Sequence, residues 1–150
     1  MAKNEQHERL QNAALFGISF AVLGYALPMF IYLLIPASWF YQVKQPVPTN
    51  KIAYQPCEQI ELTIERTSRI MTQAESTLEL TLVLDNGERD VAHRKQNINI
   101  GTGEKVVITE WQVPCDAPRG DYYITGNLHF EVQNQQKDYQ FVSQSFKVEK

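Results

Sequence analysis

The sequence predicts an all-β fold, an antiparallel β-sandwich of about seven strands, preceded by one N-terminal transmembrane α-helix. Three observations predict it. No charged residue occurs between Arg9 and Lys44. Beyond that stretch, apolar and polar residues alternate with period two, the signature of half-buried strands. Asn, Asp, Gly and Pro then interrupt the alternation at short intervals, as turns do.

The chain has 150 residues, enough for one domain and a short appendage. Its formal net charge of −3 offers no dense basic stripe, so nucleic acid is not an expected partner. Confining all charge to the flanks of one apolar run is not how a soluble domain distributes its side chains.

That run, Ala13 to Ile35, exceeds the roughly 20 apolar residues needed to span a bilayer. A signal-peptide core is shorter, about 7–15 residues, and Ile35-Pro36-Ala37 is a poor cleavage site. The helix therefore reads as a retained signal-anchor after a cytoplasmic tail at 1–12. Trp39 and Tyr41 stand where an interfacial aromatic belt belongs, which extends the membrane segment over 13–41. Pro28 should bend the helix at mid-span. Ala13, Gly17 and Ala21 recur every fourth residue, with Gly24 one heptad after Gly17. With Pro28 they mark a packing seam for an integral membrane partner or a second copy of the chain. Lys3 and Arg9 on one side nearly balance Lys44 and Lys51 on the other, so basic residues barely orient the span.

Residues 42–50, with Pro46 and Pro48, read as a short, stiff linker. The β domain at 51–150 would then sit close to the membrane surface. Its strands start with a short one at Ile52–Tyr54. Ile60, Leu62 and Ile64 form the next. Leu78, Leu80, Leu82 and Leu84 alternate with Glu79, Thr81 and Val83, and Asp85-Asn86-Gly87 is a hairpin signal. A charged strand follows at 88–95. Val106 and Ile108 lead into Trp111, read as a core residue. Tyr122, Ile124, Gly126, Leu128, Phe130 and Val132 share one face of the longest strand. Gln140, Val142, Gln144, Phe146 and Val148 form a closing strand of mixed face.

The stretch Trp111-Gln112-Val113-Pro114, followed by Ala117-Pro118-Arg119-Gly120-Asp121-Tyr122-Tyr123, resembles the E–F corner of immunoglobulin-like and fibronectin-III-like domains. There a Pro- and Gly-bearing turn leads into an aromatic strand. The resemblance implies a fold and carries no function.

Cys57 and Cys115 both stand at turns, beside Pro56 and Pro114. In an up-and-down sandwich the strands that follow them start at one end, so a disulfide is expected. It implies an oxidising compartment and places the β domain in the periplasm or outside the cell.

Catalytic chemistry is not expected. His7, His93 and His129 lack ligand spacing for a metal. Ser143 and Ser145 have no elbow motif, and Gly101-Thr102-Gly103 is too short for a phosphate loop. No cofactor is implied. Arg89, His93, Arg94 and Lys95 read either as a basic patch for anionic headgroups or an acidic partner, or as charge that blunts a sheet edge. The sequence thus points to an accessory or assembly subunit of a larger membrane complex. The alternative is a membrane-tethered module whose sandwich captures a soluble or surface ligand.

Overall fold

The computed structural model describes residues 2–71, 74–86 and 89–149, the side chains of 2–13 apart. It divides into two compact units, residues 1–35 and 36–150.

The first unit is one helix, α1 (Ala2–Leu34), with Pro28 inside it. Its stretch Ala14–Leu34, 21 residues of mean hydropathy 2.0, is long and apolar enough to cross a membrane. At 1.5 Å per residue that stretch measures about 31 Å, close to a bilayer core. Its large apolar side chains, from Leu15 to Leu34, are exposed.

The second unit is a β-sandwich. A short helical turn, α2 (Ala37–Phe40), leads into β1 (Tyr41–Val43) and β2 (Ala53–Tyr54). Then come β3 (Gln59–Ser68), β4 (Ala74–Leu84), β5 (Arg89–Ile100), β6 (Gly103–Gln112), β7 (Gly120–Val132), β8 (Gln135–Val142) and β9 (Phe146–Val148). One sheet has three strands in the order β1-β3-β6. The other has six, β2-β9-β7-β4-β5, with β8 also paired to β7. Pairing is antiparallel except between β2 and β9.

Period-two patterning builds the core. Ile60, Leu62 and Ile64 point inward from β3 and meet Leu78, Leu80 and Leu82 of β4 and Tyr122, Ile124, Leu128 and Phe130 of β7. At the end of β4 the register with β5 shifts between Leu82 and Val83, where β5 carries one extra residue, Val91, while the register with β7 runs on unbroken. Leu82 and Val83 are both buried there and Leu84 is half-buried. Gly126 holds an inward position of β7 because Phe141 of β8 lies over it; a Cβ there would come within 2.1 Å of the ring.

Three expectations need correction. First, about nine strands form rather than seven. The closing strand is two, because the buried set passes from Phe141 and Ser143 to Phe146 and Val148. Ser143 fills the break: its Oγ accepts from the Ile124 amide at 2.8 Å, and its own amide donates to the Ile124 carbonyl at 2.8 Å. Val142, read as part of a strand of mixed face, is half-buried.

Second, residues 42–50 are not a free spacer. Val43 belongs to β1, and Val47 is 0% exposed. Val47 bridges Ser143 in parallel, donating to the Val142 carbonyl and accepting from the Gln144 amide, each at 2.9 Å. The chain crosses from one sheet to the other between β1 and Val47, so the prolines mark that switch.

Third, Tyr41 is a core residue, 4% exposed, and does not stand in an interfacial belt. Its ring meets Tyr139 edge-on at 5.6 Å, and the buried Arg66 guanidinium lies 5.7 Å from its centroid. Burial pushes the Tyr41 phenol up to about 12, although Arg66 opposes the shift. The fold therefore favours the neutral phenol. That contribution is complete below the ordinary value of 10.0 and is lost as pH climbs towards 12. We expect Tyr41 to remove about 1.4 kcal/mol of stability between pH ~9 and ~11. Urea midpoints of the native chain and Tyr41→Phe should diverge over that interval; parallel curves would refute it.

The hairpin turn contains Asp85 and Asn86 as expected, while Gly87 and Glu88 lie outside the described residues.

Candidate functional site

The disulfide forms between Cys57 and Cys115, with Cα atoms 4.4 Å apart. Their closeness follows from register. Cys57 precedes β3 and Cys115 follows β6, and these strands pair antiparallel from Gln59 opposite Gln112. The Cys57 amide donates to the Val113 carbonyl at 3.1 Å, continuing the ladder to the bridge. Beside it, Glu58 accepts from the Gln55 amide and pairs with Lys51. The hydrogen bond from Lys51, then that from Gln55, holds the Glu58 carboxyl below its ordinary value.

The E–F-corner stretch closes on itself. The Tyr122 hydroxyl donates to the Pro118 carbonyl at 2.7 Å, and burial pushes this phenol up. Trp111 is buried, as its sequence context predicts.

The four basic residues do not form one patch. They lie on β5, which pairs only with β4 at the margin of the six-stranded sheet. His93 and Lys95 face outward. His93 Nδ1 lies 2.9 Å from Thr81 Oγ1, and Lys95 pairs with Glu79 at 2.8 Å. Arg94 turns the other way and donates to the Glu110 carbonyl of β6 at 2.5 Å. Arg89 is exposed at the start of the strand.

Lys95 belongs to a charge ladder that sequence spacing did not reveal. It crosses four strands: Lys95 of β5, Glu79 of β4, His129 of β7 and Asp138 of β8. His129 contacts Glu79 through Nε2 at 3.5 Å and Asp138 through Nδ1 at 2.6 Å. The hydrogen bond from Lys95 holds the Glu79 carboxyl below its ordinary range. Both imidazole nitrogens face carboxylates, which holds the ring between Glu79 and Asp138. The ladder borders a shallow depression of about 960 Å³ with Glu75, Thr77, Asn97 and Asn99. Among the described residues no three His, Cys, Asp or Glu side chains converge as a metal site.

A contact surface is more evident. Among the described residues β6 pairs with β3 alone, which leaves its other edge open there. Val106 and Ile108, both 64% exposed, flank the partly exposed Val107 on it. β3 opposes them with Glu65 and Thr63. Glu104 and Glu110 bracket the apolar stretch, and Arg94 closes its far end at Glu110. Such an edge is a template for another strand.

On α1, Gly17, Ala21, Gly24 and Pro28 are exposed, and nothing lies within 4 Å of a Cβ built on either glycine. Ala13 lies in the helix, its side chain outside the described set.

No protein-family model matches the chain, and no curated protein sequence matches it. Among solved structures it is similar to the sporulation control protein Spo0M from Bacillus subtilis, at 19% identity and a TM-score of 0.46. The match covers 74% of this chain and 50% of that one, so the chain spans half of the length of that protein. It is also similar to the C-terminal domain of wzt, at 11% identity and a TM-score of 0.49, over 73% of this chain and 71% of that one. A third is the alkylpurine DNA glycosylase AlkC of Pseudomonas fluorescens, at 11% identity and a TM-score of 0.46, over 73% of this chain and 30% of that one. At such identities the likeness is one of fold alone.

Proposed function

We propose that this protein is a single-pass membrane-anchored accessory or assembly subunit. In this reading α1 is retained as a signal-anchor with its N-terminus in the cytoplasm. The sandwich, of immunoglobulin-like or fibronectin-III-like kind, stands in the periplasm or outside the cell. The Tyr122–Pro118 corner supports that kinship, and the disulfide supports that side of the membrane.

The observation that carries the proposal is the missing spacer. The domain unit begins at Pro36, directly after α1. A module meant to capture distant ligands gains reach from a long tether. This domain has none, which suits contact with a partner that itself lies at the membrane. Two surfaces would serve. The seam at Ala13, Gly17, Ala21, Gly24 and Pro28 suits a close helix neighbour. The β6 edge suits a strand of the same integral partner, aliphatic in the middle with basic residues opposite Glu104 and Glu110. Self-pairing of β6 about Val107 would instead set Glu104 against Glu110, a like-charge contact.

Inserting about ten Gly/Ser residues between Ile35 and Pro36 lifts the domain by roughly 17 Å. Co-purification of membrane partners in mild detergent should then collapse, as it should for Gly17→Ile/Gly24→Ile. Unchanged partner recovery in both variants would instead favour the tethered binding module.

A further inference from the structure

We propose that Arg69 and Met71, among the described residues that follow β3, form a lipid-contacting element that fixes the domain on the bilayer surface. The inference rests on the anchor reading above and adds which face of the domain meets the lipid.

The geometry starts from chain continuity. Trp39 follows Leu34 by at most roughly 17 Å of extended chain. It therefore stays near the level at which the apolar span ends, whatever the domain's tilt. Trp39 is 48% exposed, and an amphipathic indole at that level is the residue type that settles among headgroups.

The β3–β4 loop is fastened to this tryptophan. Its Arg69 amide donates to the Phe40 carbonyl at 2.8 Å. The Arg69 guanidinium lies 5.2 Å from the Trp39 ring centroid and reaches the Trp39 carbonyl at 3.4 Å. Register fixes the same end: Tyr41 lies opposite Ser68, and Ser68 opposite Gly103. The loop beyond β3 thus shares the level of Trp39, while the disulfide marks the opposite end of β3.

Met71 makes the chemistry specific. It is 93% exposed, the most exposed large apolar side chain of the domain. Ile70 beside it is buried, and its carbonyl accepts from the Thr102 hydroxyl, which ties the β5–β6 turn to the loop. An unbranched, polarizable thioether two residues after the arginine that lies over the indole suits the acyl–headgroup boundary. The thioether enters the upper acyl region, while the arginine keeps its charge at the phosphates. One Trp contact would leave the domain free to rock about it. A second contact in the fastened loop removes that freedom.

The test places a fluorophore at residue 71. Full-length Trp39→Phe retains only buried Trp111 and sets the baseline. Trp39→Phe/Met71→Trp adds one reporter at a position that is 93% exposed. Both are reconstituted in phosphatidylcholine–phosphatidylglycerol liposomes whose lipids carry bromine near the top of the acyl chain. We expect the reporter at 71 to lose most of its emission to bromine and to shift to the blue, while the baseline variant is unchanged. Adding Arg69→Glu should restore most of that emission. An unquenched reporter on protein that stays in the alkaline-washed pellet overturns the inference and leaves the anchor reading intact. Protein released into the wash overturns both.

Discussion

Replacing Cys57 and Cys115 by serine should cost the domain about 4 kcal/mol of stability. The bridge spans 58 positions of sequence and encloses β3, β4, β5 and β6, so it constrains about half of the unfolded domain. The folded side changes little, because the ladder beside the bridge persists: Val113 donates to the Glu58 carbonyl at 2.9 Å without the sulfurs. The double variant should therefore fold to the same sandwich and unfold at a markedly lower denaturant concentration. Reductant should move the native chain to the same midpoint. A midpoint that neither treatment moves would show that the bridge does not restrain the unfolded state.

Val47→Asp should be more damaging, with a loss beyond about 4 kcal/mol, enough to leave much of the domain unfolded. Val47 is completely enclosed, and its two backbone bonds seat it against the β8–β9 break. A carboxylate in this enclosed position is cut off from bulk solvent. The adjacent Pro48 side chain is exposed, and Pro48→Ala should change stability by no more than about 1 kcal/mol. Thermal melts of the two variants discriminate sharply. If 42–50 were merely a spacer, both substitutions would be silent.

These two sites show what was legible in the sequence. The paired cysteines were, because both lie at strand ends rather than within alternating runs. The long strands were equally plain: Ile60, Leu62 and Ile64, and Tyr122 through Phe130, repeat often enough for the period to be read. Val47 was not. Tyr41, Val43 and Val47 are too few and too interrupted by proline to show a period, and several of their partners, from Tyr139 to Gln144, lie almost a hundred residues away. The Phe141-to-Phe146 change of face was blurred because one break shifts the period in a single stretch. The charge ladder was invisible for a related reason. Glu79, Lys95, His129 and Asp138 are neighbours only through the pairing order β5-β4-β7-β8, and no local spacing encodes that order. The open edge of β6 likewise required knowing that, among the described residues, β3 alone pairs with it.

Under the proposed anchor reading, the absorption of residues 36–50 into the fold bears on how long the domain would stay attached. Ectodomains are shed when a protease finds an exposed, extended stalk to bind and cut, and such nicking concentrates at loops and linkers that local opening frees. Here the stretch following the apolar helix is already committed. Phe40 and Tyr41 are buried, Val43 is in a strand and Val47 is enclosed. Cutting within β1 would first require that strand to peel from β3, so release at that point becomes a matter of unfolding rather than of access.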